Sequence, residues 1–226
     1  MKLIYEGKTK DVYELEDGNI LFKFKGDATV DEDGKFDPGK NTVGLTIGGL
    51  GLASLKMTTY YFELLNKKGV PTHFISSDIN NACMTVKAVE KFGVDNIEVI
   101  CRFKAIGSFY RRYKKYCTEG MDLDALIEIT LKDDALGDPF IDKYGLIQLK
   151  ILTEYEYATI VTMTKRIAEI LRDDFTEKGL ELYDMKFEFG RANGEITLID
   201  EISPGNVRVY KGDKWLQPLE MAEYFG

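Results

Sequence analysis

The chain has 226 residues, 44% of them hydrophobic and 30% charged, with a net charge of −8. Such a length suits one large domain or two lobes, and folding can bury roughly 70% of the unfolded surface without disulfides. The acidic balance argues against a general nucleic-acid binder, and no apolar run approaches the ~20 residues that span a bilayer.

The N-terminus, Met1 to Glu6, lacks the basic and apolar regions of a signal peptide and reads at once as a strand. Leu3 to Glu6, Asp11 to Leu15 and Ile20 to Phe24 alternate, and the turns Gly7 to Lys10 and Glu16 to Asn19 join them into a meander. The glycine-rich stretch Gly26 to Gly51 is expected to be weakly structured. Leu52 to Lys68 reads as a helix stopped by Gly69, with strands at Thr72 to Ile75 and Met84 to Val89. Ile97 to Phe103 is a further strand, Ser108 to Tyr116 a basic aromatic helix, and Leu126 to Leu131 a weakly alternating segment. Thr153 and Glu156 form a capping box before a long helix whose stripe runs through Ile160, Met163, Ile167, Ile170, Leu171 and Phe175 to Gly179. Leu180 to Phe189 and a partner strand ending near Asp200 are expected to form a hairpin around the loop Gly190 to Gly194. Pro218 to Tyr224 closes the order as a short helix. A boundary near Thr85 to Glu90 would divide a β-rich part, 1–86, from a mixed part, 87–226.

In the late hairpin, side chains two apart share a face, so Asp184, Lys186 and Glu188 line one side and Tyr183, Met185, Phe187 and Phe189 the other. Asp200 falls in phase with Ile196 and Leu198, which puts it with the charged trio in any even register. Carboxylates gathered this way could serve Mg²⁺ together with substrate phosphates; a solvated charged face is the alternative. Lys8 and Lys10 flank the first turn after Gly7 and offer point charges for phosphate, although turn lysines are mostly solvated. Arg102 to Ser108 closes a strand and opens a helix, either an anion site with Ser108 as N-cap or an ordinary capped helix. Asp133, Asp134 and Asp138 make a metal-binding loop or an acidic turn. His73 is the only histidine, so no Ser-His-Asp or Cys-His set can be built elsewhere, and a packing role is assigned to it. Cys83, Cys101 and Cys117 form no CxxC pair and read as thiols in a reducing cytoplasm.

In this order the segments YEGKTKDVY (Tyr5 to Tyr13), GVPTHFI (Gly69 to Ile75), RFKAIGS (Arg102 to Ser108), KDDALGDP (Lys132 to Pro139), DMKFEFG (Asp184 to Gly190) and DEISPGNVR (Asp200 to Arg208) resemble the SAICAR synthetases of purine biosynthesis. The resemblance implies an α+β fold of two lobes: an antiparallel-sheet N-terminal lobe and a larger mixed α/β lobe, closing as an ATP-grasp or kinase-like clamp around a central cleft. It implies a ligase that condenses L-aspartate with the carboxylate of CAIR, using ATP and Mg²⁺ and passing through an acyl phosphate. By matched position, Lys8, Lys10 and Lys132 resemble ATP contacts. Glu188, Asp200 and Asp138 resemble Mg²⁺ ligands. Arg102, Ser108 and Arg208 look like contacts to the phosphoribosyl group, Asp27 lies near the substrate, and Asp184 and Lys186 would orient the reacting end. Small-molecule substrates, no nucleic acid, no membrane and a homodimer are the expected partners. Two departures stand out: Gly205 follows Pro204 where the family usually has Asp, and Gly26 stands where a second acidic residue is common. A phosphotransferase, disfavoured by the lack of HRD and DFG segments, and a non-catalytic nucleotide-binding relative are the alternatives.

Overall fold

The structure, a computed structural model, describes residues 1–37 and 42–225. Its contacts divide the chain into two compact units. The first holds Met1–Glu90, Arg191–Asn206 and Gln217–Gly226; the second holds Lys91–Gly190 and Val207–Leu216. One cut after Val86 therefore does not describe them, because two later segments return to the first unit. Leu198 exchanges backbone hydrogen bonds with Pro71 and His73, and Phe225 packs its ring on Tyr60 and Tyr61.

In the first unit β1 (Lys2–Glu6), β2 (Lys10–Glu14) and β3 (Ile20–Phe24) form the expected meander. The glycine-rich stretch is more ordered than its composition implies. Asp27–Val30 (β4) and Thr42–Thr46 (β5) pair as an antiparallel ribbon, while residues 38–41 lie outside the described set. Gly44 makes that ribbon possible, since a Cβ there would stand 2.3 Å from Val30 Cγ2. Helix α1 (Leu50–Lys67) stops where Gly69 turns to φ +72°. Strands β6 (Phe74–Asp78) and β7 (Cys83–Val86) complete an antiparallel sheet in the order β1-β2-β3-β7-β6.

The second unit is built on β8 (Ile97–Lys104), which is followed by α2 (Gly107–Tyr113) and β9 (Asp122–Leu131). Helix α3 (Lys143–Gln148), too short to show a period, was not expected. Helix α4 (Glu154–Glu177) carries the capping box on Thr153 and Glu156, and its Ile160, Ile167, Leu171 and Phe175 are fully buried. Strand β10 (Glu181–Ala192) runs further than expected. It turns only at Asn193 and Gly194, both at positive φ as a two-residue hairpin requires, into β11 (Glu195–Ile199). The five-residue loop from Gly190 is thus mostly strand. After β12 (Val207–Lys211) and β13 (Lys214–Trp215) the chain ends in α5 (Pro218–Ala222) and a 3-10 turn. The second unit's strands lie in the antiparallel order β13-β12-β10-β8-β9. The mixed α+β class expected from the sequence holds. Among the described residues no helix is long and apolar enough to cross a membrane.

Candidate functional site

Strand register assembles the charged side chains of the second unit into two rows. Asp184 on β10 stands directly opposite Arg102 on β8 and, on its other side, opposite Arg208 on β12. Its carboxylate accepts from Arg102 Nη1 and from Arg208 Nη1, the latter at 2.8 and 3.1 Å. Arg102 also donates through Nε to Glu128 on β9 at 2.8 Å and through Nη2 to Ser108 Oγ at 2.9 Å. Arg112 of α2 reaches the other oxygen of Glu128. Asp184 and Arg102 are each only 3% exposed, so this end of the charged face of β10 is shielded from solvent. Three guanidiniums face two carboxylates, a positive surplus suited to a phosphate group. Gly107 lets the turn close over them: at φ +58° it leaves room for the Arg208 guanidinium, 3.0–3.1 Å from where a Cβ would sit. Ser108 is not the helix N-cap. Ile106 holds that position without a side-chain cap, and the Ser108 hydroxyl is turned to Arg102 instead.

The second row lies two to four residues along the same strands. Glu188 on β10 stands directly opposite Glu98 on β8, a like-charge pair that is costly unless neutralised. Two lysines do this. Lys132 Nζ lies 2.5 Å from Glu188 Oε1, and Lys186 Nζ lies 2.7 Å from Glu98 Oε1. Asn96 donates to the remaining Glu188 oxygen at 3.1 Å. Burial pushes the Glu98 carboxyl above the usual range despite Lys186. Burial would lower Lys186, but Glu98 outweighs it and holds the ammonium above its ordinary value. Asp138, in left-handed backbone, receives the Asp133 N–H at 2.9 Å and shapes the acidic turn. Among the described residues no group of three or more His, Cys, Asp and Glu is arranged as a metal centre. Lys132 and Asn96 between them hold both oxygens of Glu188.

In the first unit Lys10 Nζ lies 2.9 Å from both Asp200 Oδ1 and Glu201 Oε1, over the rings of Phe22 and Phe24. Burial would lower its pKa, but the two carboxylates outweigh this and raise it, so Lys10 stays charged. Thr9 donates to the same Glu201 oxygen at 3.3 Å. Lys8 sits half-buried in the preceding turn, which Gly7 closes: a Cβ there would be 2.6 Å from the Lys10 carbonyl. Asp27 Oδ1 accepts from Thr46 Oγ1 at 2.8 Å across the β4–β5 ribbon. Asp200 is not in phase with β11 as expected. It follows the strand's last residue, at φ +67°.

A family model described as SAICAR synthetase matches residues 3–222. The phosphoribosylaminoimidazole-succinocarboxamide synthase of Clostridium tetani is 50% identical over 98% of this chain and 97% of its own length. A solved SAICAR synthetase in complex with ADP is 29% identical, with a TM-score of 0.84 over 98% of this chain and 91% of that one. The structure of the Ehrlichia chaffeensis synthase, 27% identical, matches at TM-score 0.84 over all of this chain and 92% of its own. This chain belongs to the SAICAR synthetase family.

As a SAICAR synthetase it carries three acidic residues that the motif reading missed: Glu98, Glu128 and Glu201. Each is buried and paired to a cation that the motifs did single out. Glu201 lay within the DEISP run itself; the other two become legible only once β8 is set against β9 and β10. Gly205, the departure from the family pattern, is not demanded by packing, since a Cβ there would meet only Ser203 Oγ at 3.4 Å.

His73 is fully buried, and burial pushes its pKa down to about 4, against the pull of Asp200 and with the push of Lys10 and Lys87. The folded protein therefore keeps it neutral between pH 6.5 and 4 while the unfolded chain takes up a proton. This one group should withdraw about 3 kcal/mol of stability as pH falls through that window. Between pH 7 and pH 4 the urea midpoint of the parent should fall relative to that of His73→Phe, which has no imidazole to protonate; parallel curves would refute it.

Proposed function

We propose that this SAICAR synthetase joins L-aspartate to the carboxylate of CAIR and releases SAICAR, ADP and phosphate. The family match over nearly the whole chain carries the assignment. A carboxylate is a poor acyl donor because its oxygen leaves badly. Transfer of the ATP γ-phosphoryl group to that oxygen gives an acyl phosphate, and the aspartate amine then displaces phosphate. No protein nucleophile is needed, so positioning and charge neutralisation carry the rate.

The roles follow the two rows and the Lys10 cluster. Arg102, Arg208 and Ser108 would hold the sugar phosphate, with Asp184 fixing both guanidiniums. Lys186, kept charged against Glu98, would meet the reacting carboxylate. Lys8, Lys10 and Lys132 would serve the nucleotide phosphates, and Asp27 would lie near the substrate. The donor chemistry of Glu188, Asp200 and Asp138 fits Mg²⁺, which commonly takes one or two carboxylates and completes its shell with water and substrate phosphate. When bound, the ion would neutralise charge on the transferring phosphoryl group. A nucleotide clamp of the ATP-grasp or kinase style belongs to the same proposal. The test is ADP release with ATP, Mg²⁺, CAIR and aspartate, omitting one component at a time. Turnover should require all four; steady ADP release without aspartate would overturn the ligase assignment.

A further inference from the structure

Neighbouring residues of an extended chain point to opposite faces, yet the carboxylates of Asp200 and Glu201 both stand 2.9 Å from Lys10 Nζ. The backbone explains this. Asp200 lies at φ +67°, in the left-handed region that costs a non-glycine residue energy, though Asp tolerates it better than most. That single turn rotates the next peptide and brings two consecutive side chains to one side.

Irregular backbone of this kind must find hydrogen bonds outside a sheet ladder. Here three successive carbonyls are each held by a side chain. Thr58 of α1 donates to Ile202 O at 3.1 Å, and Asn206 Nδ2 donates to Glu201 O at 2.6 Å. His73 Nε2 lies 3.2 Å from Asp200 O; a carbonyl only accepts, so this nitrogen carries the proton. The ring itself is fixed. Its backbone N–H goes to Leu198 O and its carbonyl receives the Lys87 N–H, while the edges of Phe22 and Phe62 pack against it at 5.7 and 5.5 Å.

We propose that His73 is a positioning residue for the nucleotide: its Nε2–H, on the Asp200 carbonyl, fixes the left-handed turn that delivers both carboxylates to Lys10. It touches no substrate and acts through Asp200. The inference rests on the proposal that Lys10 and Asp200 serve ATP.

His73→Phe keeps an aromatic ring between Phe22 and Phe62 but removes the donor, and His73→Gln returns an amide N–H near the place of Nε2. Measured well below the melting temperature of every variant, His73→Phe should raise the KM for ATP about tenfold. The KM values for CAIR and aspartate should stay within about twofold. Calorimetric binding of ADP, which involves no turnover, should weaken in step, and His73→Gln should recover most of the loss. Unchanged ATP kinetics in a folded His73→Phe protein, or equal losses for all three substrates, would overturn the role. Lys10→Met is measured alongside. If that variant leaves the ATP KM unmoved, the nucleotide assignment of Lys10 fails and takes this inference with it; if it raises the ATP KM while His73→Phe does not, the inference alone fails.

Discussion

Replacing Asp184 with Ala should destabilise the protein more than replacing either of its partners. Asp184 sits between Arg102 and Arg208 on neighbouring strands, so its loss leaves two buried guanidiniums facing each other with no carboxylate between them. Removing one partner of a buried ion pair costs about 3–5 kcal/mol, here a fall in Tm on the order of 10 °C for a chain of this size. Arg208→Ala should cost less, because Asp184 keeps Arg102, and Arg102 keeps Glu128 as well. Its main effect belongs on the KM for CAIR. Thermal melts of the two variants side by side decide the matter: equal shifts would mean that the row is not electrostatically coupled.

Lys10→Met should be the most damaging single change for activity. The ammonium, in a residue only 9% exposed, lies between two carboxylates, where a fixed charge is screened less than in bulk water. Loss of one such preorganised group typically costs about 10²–10³-fold in rate. The drop in kcat/KM for ATP should be of that order, with CAIR binding by calorimetry little changed. Since the Lys10 pKa is held above its ordinary value, the ammonium does not titrate near neutral pH. A pH–rate profile should therefore show no alkaline limb from Lys10 below about pH 10. A change in kcat/KM of less than about tenfold would remove Lys10 from the nucleotide site.

Local signals in the chain were readable where chemistry is local. The capping box at Thr153 and Glu156, the stop at Gly69 and the stripe of α4 each depend on residues a few positions apart, and each was found. The β4–β5 ribbon is hard to read locally, because Gly44, which its closeness needs, interrupts the alternation of β5, and β4 has only four residues. Ser108 departs from its expected capping role for a different reason. A serine after a glycine at a helix start resembles an N-cap, but the buried Arg102 competes for its hydroxyl. The candidate site divides the same way. Arg102, Asp184, Lys186, Glu188 and Arg208 were visible as motif residues, whereas their partners Glu98 and Glu128 depend on strand order and register across more than twenty residues. Asp200 shows the limit of face arguments: one left-handed residue ends the alternation from which its direction was inferred.

Oxygen tracing tests the acyl-phosphate route most directly. CAIR labelled with ¹⁸O in its carboxylate is turned over with ATP and aspartate, and the released phosphate is examined by mass spectrometry. Attack of the carboxylate on the γ-phosphoryl group should place one labelled oxygen in each phosphate formed and leave the other in the SAICAR amide. Phosphate released without label, from a reaction that still yields SAICAR, would contradict activation of the substrate carboxylate by ATP.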